Sequence, residues 1–430
     1  MTVRNVRAYR VYLCMVGAVA FIFDLAFTVS AIYRIQTVHL DALQLVLVGT
    51  VLEATCFIFE VPTGVVADTF SRRLSIIIGT LLLGASFLVE GSLPFFWAVL
   101  MGQVVAGLGY TFTSGAIEAW VAGEVGEESL PHVFMRAQQA GMAGGLGGIA
   151  AAVGLGSLGL NLPFLAAGVL MLGVGIVLVW VMPETGFTPT PRGERTTWGA
   201  MGQTFLDGAR VVRRKPMLIT FLVIAAFYGI ASEGMDRLWE AHFLTNFTFP
   251  SLGAFNPVVW FGIISAGASL IGIATTELVR KRLKAERHET LVRWLVAATG
   301  LRIVGGLVFT LAGNFWVALA GIWSRSIFGA ISGPLYDSWV TRTIDPQVRA
   351  TVLSMMNQMN ALGQISGGPA IGWVGRAFGV RAALTISVLL LAPSLPLYWR
   401  AHRQGNDEPA QSASMPTIGE VAAVGEAEAV

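Results

Sequence analysis

Apolar runs of about twenty residues or more follow one another along the chain, separated by short polar turns. A helix of that length crosses a hydrocarbon core of ~30 Å, so each run is predicted to be a membrane span. Twelve are predicted, over 9–33, 42–64, 74–93, 95–121, 132–157, 162–182, 216–242, 257–279, 289–312, 315–341, 347–373 and 379–399. The short alternating segments of a β-barrel are not seen. The longest polar interruption, 183–215, divides the spans six and six. The expected fold class is an all-α, multi-pass membrane protein with twelve transmembrane helices in two six-helix, pseudo-symmetric halves. Residues 1–182 form the N-terminal half, 183–215 a central loop, 216–400 the C-terminal half and 401–430 a tail.

Composition agrees with the pattern. Hydrophobic residues make up 54% of the chain and charged ones 13%, against roughly 25% charged in a soluble domain, too few to cover a water-facing surface. Basic residues set the expected orientation, because Lys and Arg near span ends stay on the cytoplasmic side. With the N-terminus inside, 22 of the 28 Lys and Arg residues fall there, and only Arg34, Arg376 and Arg381 lie outside. Both termini are therefore expected to be cytoplasmic, in the inner membrane of a bacterium. The basic N-terminus ahead of an apolar run has the look of a signal peptide. Asp24, the continuation to about Tyr33 and the lack of a small-residue cleavage site make it a first span instead.

In the central loop, Trp198, Met201, Phe205, Ala209 and Val212 fall on one helical face ahead of a basic run, the pattern of a short helix lying on the inner membrane surface. The tail, rich in Ala, Glu, Ser and Pro, is expected to be disordered. The two cysteines, Cys14 and Cys56, lie inside apolar runs and build neither a disulfide framework nor a zinc site. No Gly-Lys pair occurs, so the phosphate-binding loop of an ATP-driven pump is excluded.

The chain repeats itself. "SGAIEAWV" in span four matches "SGPLYDSWV" in span ten, setting Ser114 and Gly115 on Ser332 and Gly333, Glu118 on Asp337 and Trp120 on Trp339. One insertion separates the first two of these pairs from the last two, and the resulting offset of 219 residues sets Gln139 on Gln358, Gly144 on Gly363 and Gly148 on Gly367 in the following spans. Parallel six-span repeats with a site between them at mid-membrane depth are a transporter architecture.

"GVVADTFSRR", in the loop joining spans two and three, fills the pattern Gly-x-x-x-Asp-x-x-Gly/Ser-Arg-Arg/Lys with Gly64, Asp68, Ser71, Arg72 and Arg73. On twelve spans in two halves, this signature resembles that of the major facilitator superfamily, in the manner of its drug:proton antiporters, over about residues 9–399. The resemblance implies a conformational latch made of Gly64, Asp68, Arg72 and Arg73, holding the outward-facing state. Physically, Gly64 lets helices approach, and Asp68 can cap a helix N-terminus or pair with an arginine in one arrangement of the halves only. Other family features are mixed. Gln103 stands where the fourth-span pattern has arginine, while Arg325 does precede Gly329 in span ten. The antiporter glycine signature is partial in span five and closer in "GQISGGPAIG" of span eleven.

Charges inside the spans are the candidate chemistry, since each costs roughly 2.5–3.5 kcal/mol at mid-depth unless paired, hydrated or neutralised. Asp24 and Glu53 fall halfway along adjacent spans with no basic residue within a turn. Two such carboxylates near each other disfavour joint ionisation and favour carrying a proton. Glu118, Asp236 and Asp337 are further proton-coupling candidates. Phe21 and Phe27 on the Asp24 face, with Arg237, Arg302, Arg325, Asn357 and Asn360, are candidates for substrate contact, although Glu233 and Arg237 can also form an internal salt bridge. Arg302 and Arg325 can instead balance the acids.

The expectation is a secondary transporter and not an enzyme, with no metal, no cofactor beyond the proton gradient, no nucleic-acid partner and a monomeric state in the lipid bilayer. It exports small hydrophobic or amphipathic compounds in exchange for protons, as a multidrug-type efflux antiporter, by alternating access. One proton crossing 100 mV supplies ~2.3 kcal/mol, a roughly fifty-fold gradient of substrate. Import or flipping of an anionic solute or lipid is the alternative that Arg302 and Arg325 suggest. A non-transporting sensor or scaffold is the alternative of another class.

Overall fold

In the computed structural model, which describes residues 5–188, 213, 215–251, 257–282, 288–344 and 349–407, fourteen helices make up the twelve spans. The first half contains α1 (Val6–Gln36), α2 (Ala42–Thr69), α3 (Arg72–Ser92), α4 (Phe96–Thr113), α5 (Ala116–Val125), α6 (Leu130–Leu158) and α7 (Leu162–Val181). The second contains α8 (Pro216–Asn246), α9 (Pro257–Arg282), α10 (His288–Leu311), α11 (Phe315–Thr343), α12 (Arg349–Phe378), α13 (Val380–Leu389) and α14 (Ser394–Asp407). The expected surface helix at Trp198–Val212 and the tail beyond residue 407 lie outside the described residues.

Two predicted spans are interrupted. Span four breaks between α4 and α5 at Ser114-Gly115, where Gly115 has φ +69°, a conformation that side chains with a Cβ rarely adopt. The matching Ser332-Gly333 lies inside the unbroken α11, so the repeated dipeptide bends the chain in one half only. Span twelve breaks between α13 and α14, where residues 390–393 form a turn ending at Pro393. Among the described residues, eleven candidate spans are long and apolar enough to cross a membrane. Span eleven, α12, falls short because Ser354, Asn357, Gln358, Asn360 and Gln364 interrupt its apolar surface. All five line a cavity, so this polarity faces inward rather than lipid.

Helix pairings repeat between the halves. α1 packs on α6 as α8 packs on α12, α3 on α4 as α10 on α11, and α2 on α4 as α9 on α11. The halves meet along two related seams, α2 with α12 and α6 with α9, and α1 and α2 also touch α8. One large core of buried side chains, including Leu25, Val46, Phe243, Phe261 and Ile371, runs through both halves at one end of the bundle. Toward the other end the core divides. Trp120 anchors a cluster confined to the first half and Trp339 one confined to the second. The two tryptophans matched by the internal repeat thus fill the same role in separate cores.

The shared core accompanies closed packing. Asp41 caps α2 through a capping box with Gln44, and its second oxygen lies 3.5 Å from Arg376 Nε of α12. Beside it, Gly368, Gly372 and Gly375 of α12 lie against Thr50, Leu43, Val46 and Ala42 of α2. At the divided end the described residues show no such packing. A Cβ on Gly64 would meet nothing within 4 Å, and a cavity of about 850 Å³ opens between α2, α4 and α12.

Candidate functional site

The large cavity is lined on one side by Glu53, Cys56, Glu60, Gly64, Asp68 and Tyr110, and on the other by Ser354, Asn357, Asn360 and Gln364. Its volume falls within the ~300–1,000 Å³ of small-molecule sites. At Glu53, Cys56 and Tyr110 it adjoins a narrower pocket of about 330 Å³ inside the first half, lined also by Phe23, Phe27, Phe87, Glu90 and Gln103. Phe23 and Phe27 stack at 5.5 Å, and Phe87 meets both edge-on at 5.8 and 6.0 Å. Glu53 is therefore a carboxylate at the junction of a polar cavity and an aromatic recess.

Of the residues singled out in the sequence, Phe27, Glu53, Asn357 and Asn360 come together around this space. Asn360 donates to Ala225 O at 3.3 Å and accepts from Gln364 Nε2 at 2.7 Å, tying the polar stripe to α8. Asp24 and Phe21 point elsewhere. The Asp24 carboxylate faces Gly145 and Gly148 of α6, and the Phe21 ring lies against Gly147. Asp24 and Glu53 therefore face different surroundings, the one α6 and the other the cavity, rather than each other as adjacent acids. Glu118 and Asp337 are exposed on α5 and α11, apart from one another.

Glu53 instead faces charges of the other half. Arg237 and Asp236 of α8 act on it electrostatically, as it does on the buried Glu233. Glu233 Oε2 lies 3.6 Å from Arg237 Nε one turn away, the internal pair expected from their spacing. Asp236 Oδ1 lies 4.0 Å from Arg325 Nη2, and Arg302 covers the Tyr228 ring at 5.9 Å. The charges of α8, α10 and α11 thus form a cluster that meets the first half at Glu53.

The signature residues are divided between two roles. Gly64 and Asp68 line the cavity mouth, whereas Arg72 and Arg73 fold onto the first half. Arg72 Nη1 donates to Ala119 O at 3.0 Å and its Nη2 lies 3.8 Å from Asp68. Ser71 caps α3 by accepting from Leu74 N at 2.9 Å, and donates to Glu184 Oε2 at 2.7 Å. Glu184 also accepts from the Arg73 backbone N–H at 2.9 Å, and the Arg73 guanidinium donates to Val179 O. The segment after α7 is bound further by Glu124, which accepts from Thr185, Gly186 and Asn5.

Sequence reasoning missed a second buried network. Arg34, expected in an outer loop, is in the last turn of α1 and 6% exposed. Its Nε and Nη2 donate to the two Glu90 oxygens at 2.7 and 3.1 Å. Gln103 donates to the same carboxylate at 3.0 Å, and Tyr33 O–H to the Glu90 carbonyl at 2.7 Å. Gln103 was visible in the sequence only as a departure from the family arginine. His242 is likewise fully buried, between Phe309 and Asn246. Removing one partner of a buried pair leaves the other uncompensated at a cost of about 3–5 kcal/mol. Glu90→Leu is thus expected to lower the thermal unfolding midpoint in detergent sharply, and Glu90→Leu with Arg34→Leu to lower it less. An unchanged midpoint in the single variant would dismiss the structural role of the pair.

Two pseudo-symmetric six-span halves that close at one end and enclose a cavity at the other define an integral membrane protein of the transporter class. A family model described as Major Facilitator Superfamily matches residues 13–293, and the chain belongs to that family. It is 25% identical over 367 residues to the "Uncharacterized MFS-type transporter YxaM" of Bacillus subtilis (strain 168), covering 82% of this chain and 86% of that one. It is 22% identical over 340 residues to the "Tetracycline resistance protein, class C" of Escherichia coli, covering 76% and 81%. Among solved structures, the nucleoside transporter NupG superimposes with a TM-score of 0.70 at 15% identity, over 92% of this chain and 98% of that one. The relatives are transporters, which points away from an enzyme.

Proposed function

We propose that the protein is a proton-coupled secondary transporter, exporting small hydrophobic or amphipathic compounds across the inner membrane by alternating access. The observation that carries this reading is Glu53, an ionisable group placed where an aromatic recess meets a polar cavity and the charge cluster of the other half. A proton on Glu53 removes its electrostatic attraction to Arg237, which lies 3.6 Å from Glu233 on α8 of the other half. Protonation and the relation between the halves are thereby linked. On this reading the divided end, with the signature and most of the basic residues, is cytoplasmic, and the structure is inward-facing. The signature then acts as a latch that engages only when the cavity mouth closes. The name of the tetracycline resistance relative supports efflux.

Proteoliposomes with an imposed pH gradient test this directly. Expected is accumulation of at least one amphipathic compound from a tetracycline-and-dye panel, collapsing on addition of a protonophore. Gradient-independent flux for every compound would sink proton coupling, and no flux at all would favour a sensor or scaffold.

A further inference from the structure

The second half holds two arginines for one nearby carboxylate. Arg325 of α11 lies 4.0 Å from Asp236, beyond hydrogen-bond distance, and the Asp236 side chain is 57% exposed. Arg302 of α10 has no carboxylate within 4.0 Å among the described residues, and its buried Nε has no hydrogen-bond partner. Its charge acts on Arg325, so the two guanidiniums share one space with a net charge of about +1. Such a group inside a membrane protein calls for compensation.

A third polar group points to what supplies it. Ser387 of α13 is fully buried, and its hydroxyl also has no hydrogen-bond partner. Two residues later α13 ends and the last span is interrupted over residues 390–393. Interrupted spans are where transporters bring ligands to buried charge. A cavity of about 30 Å³ lies between Arg302, Arg325, Ser387, Tyr228, Ser232 and Leu391, room for about two water-sized atoms and no ring.

We propose that Arg302, Arg325 and Ser387 form a subsite for the carboxylate of an amphipathic organic anion or zwitterion. The match is in charge and shape. A carboxylate is a monoanion with two oxygens in one plane, which the guanidinium fork binds in parallel, while the serine hydroxyl donates to one of them. A phosphate group brings ~1.5–2 negative charges and a third oxygen, for which neither charge nor space is present. Asp236, 4.0 Å from Arg325, also acts electrostatically on Glu53 of the central cavity. The proposal rests on the reading that this cavity carries substrate, but it requires neither proton coupling nor a direction of transport.

Binding to the purified full chain in lipid nanodiscs, measured by calorimetry without any gradient, separates it from the transport reading. The probes are 1-naphthoate and its neutral isostere 1-naphthamide. Expected is a preference for naphthoate of about 10–100-fold, the worth of hydrogen bonds to a charged group. Arg302→Gln is expected to abolish that preference and Ser387→Ala to reduce it several-fold, with an unchanged thermal unfolding midpoint in both as the check on folding. Arg302→Lys is expected to keep part of it. Equal binding of the two probes by the native protein, or an undiminished preference in Arg302→Gln, would overturn the assignment. So would displacement of naphthoate by chloride at lower concentration than by acetate, because the occupant would then be an inorganic ion.

Discussion

Glutamine in place of Glu53 is expected to abolish accumulation driven by a pH gradient while leaving downhill movement of the same compound measurable. The amide has nearly the shape of the protonated acid and cannot exchange a proton, so the residue is fixed in one of its two charge states. It no longer carries a charge that attracts Arg237 across the halves, and the link between protonation and their arrangement is lost. If one proton per cycle passes through Glu53, the gradient sustained at 100 mV falls from about fifty-fold to about one. Asp24→Asn is expected to have the smaller effect. Asp24 faces the glycines of α6 rather than the cavity, and its neutral form is accommodated by the same packing. Initial rates and plateau levels in proteoliposomes measure both. Full accumulation by Glu53→Gln, or a greater loss in Asp24→Asn, would reassign the coupling group.

The contrast between the two acids shows what the sequence could convey. Span positions and the two halves were legible because hydrophobic run length is a local property that the bilayer reads directly. The internal repeat was legible as well, and Trp120 and Trp339 do anchor equivalent cores. Which way an intramembrane charge points was not, because a uniformly apolar helix shows no preferred face to fix its rotation. Asp24 and Glu53 have similar depth and composition around them, yet one meets α6 and the other the cavity. Glu233 with Arg237 was legible, since four residues along a helix fix their proximity. Arg34 with Glu90 was not, because 56 residues separate partners that only the packing of α1 on the first half brings together. The breaks in spans four and twelve were hidden for a related reason. Ser-Gly bends one repeat and continues as helix in the other, so the local sequence is permissive and tertiary contacts decide.

A leucine at Gly372 is expected to shift the protein out of the conformation described here. A Cβ at this position would stand 3.1 Å from Leu43 Cα and Cδ1 and from Val46 Cβ, and the rest of a leucine side chain has no space between α12 and α2. Overpacking of this kind costs about 1–3 kcal/mol in a core that cannot move. Here the two sides of the seam belong to different halves, and separating them relieves the strain without unfolding either. The cost is then charged to one conformation, changing its population relative to the alternative by about 5–150-fold. Asp41→Asn, at the rim of the same seam, is expected to do much less, because its partner Arg376 is 63% exposed and such pairs are worth ~1 kcal/mol or below. Cys56, which lines both pockets, reports the outcome. With the exposed Cys14 replaced by serine, a membrane-impermeant maleimide is applied from the signature-bearing side. It is expected to label Cys56 in the parent and several-fold more slowly with Gly372→Leu, the slowing bounded by the population shift. Labelling at an unchanged rate in a folded Gly372→Leu protein would mean that the glycine seam does not hold the halves together. Alternation would then have to be sought along the other contacts between the halves, α6 with α9, and α1 and α2 with α8.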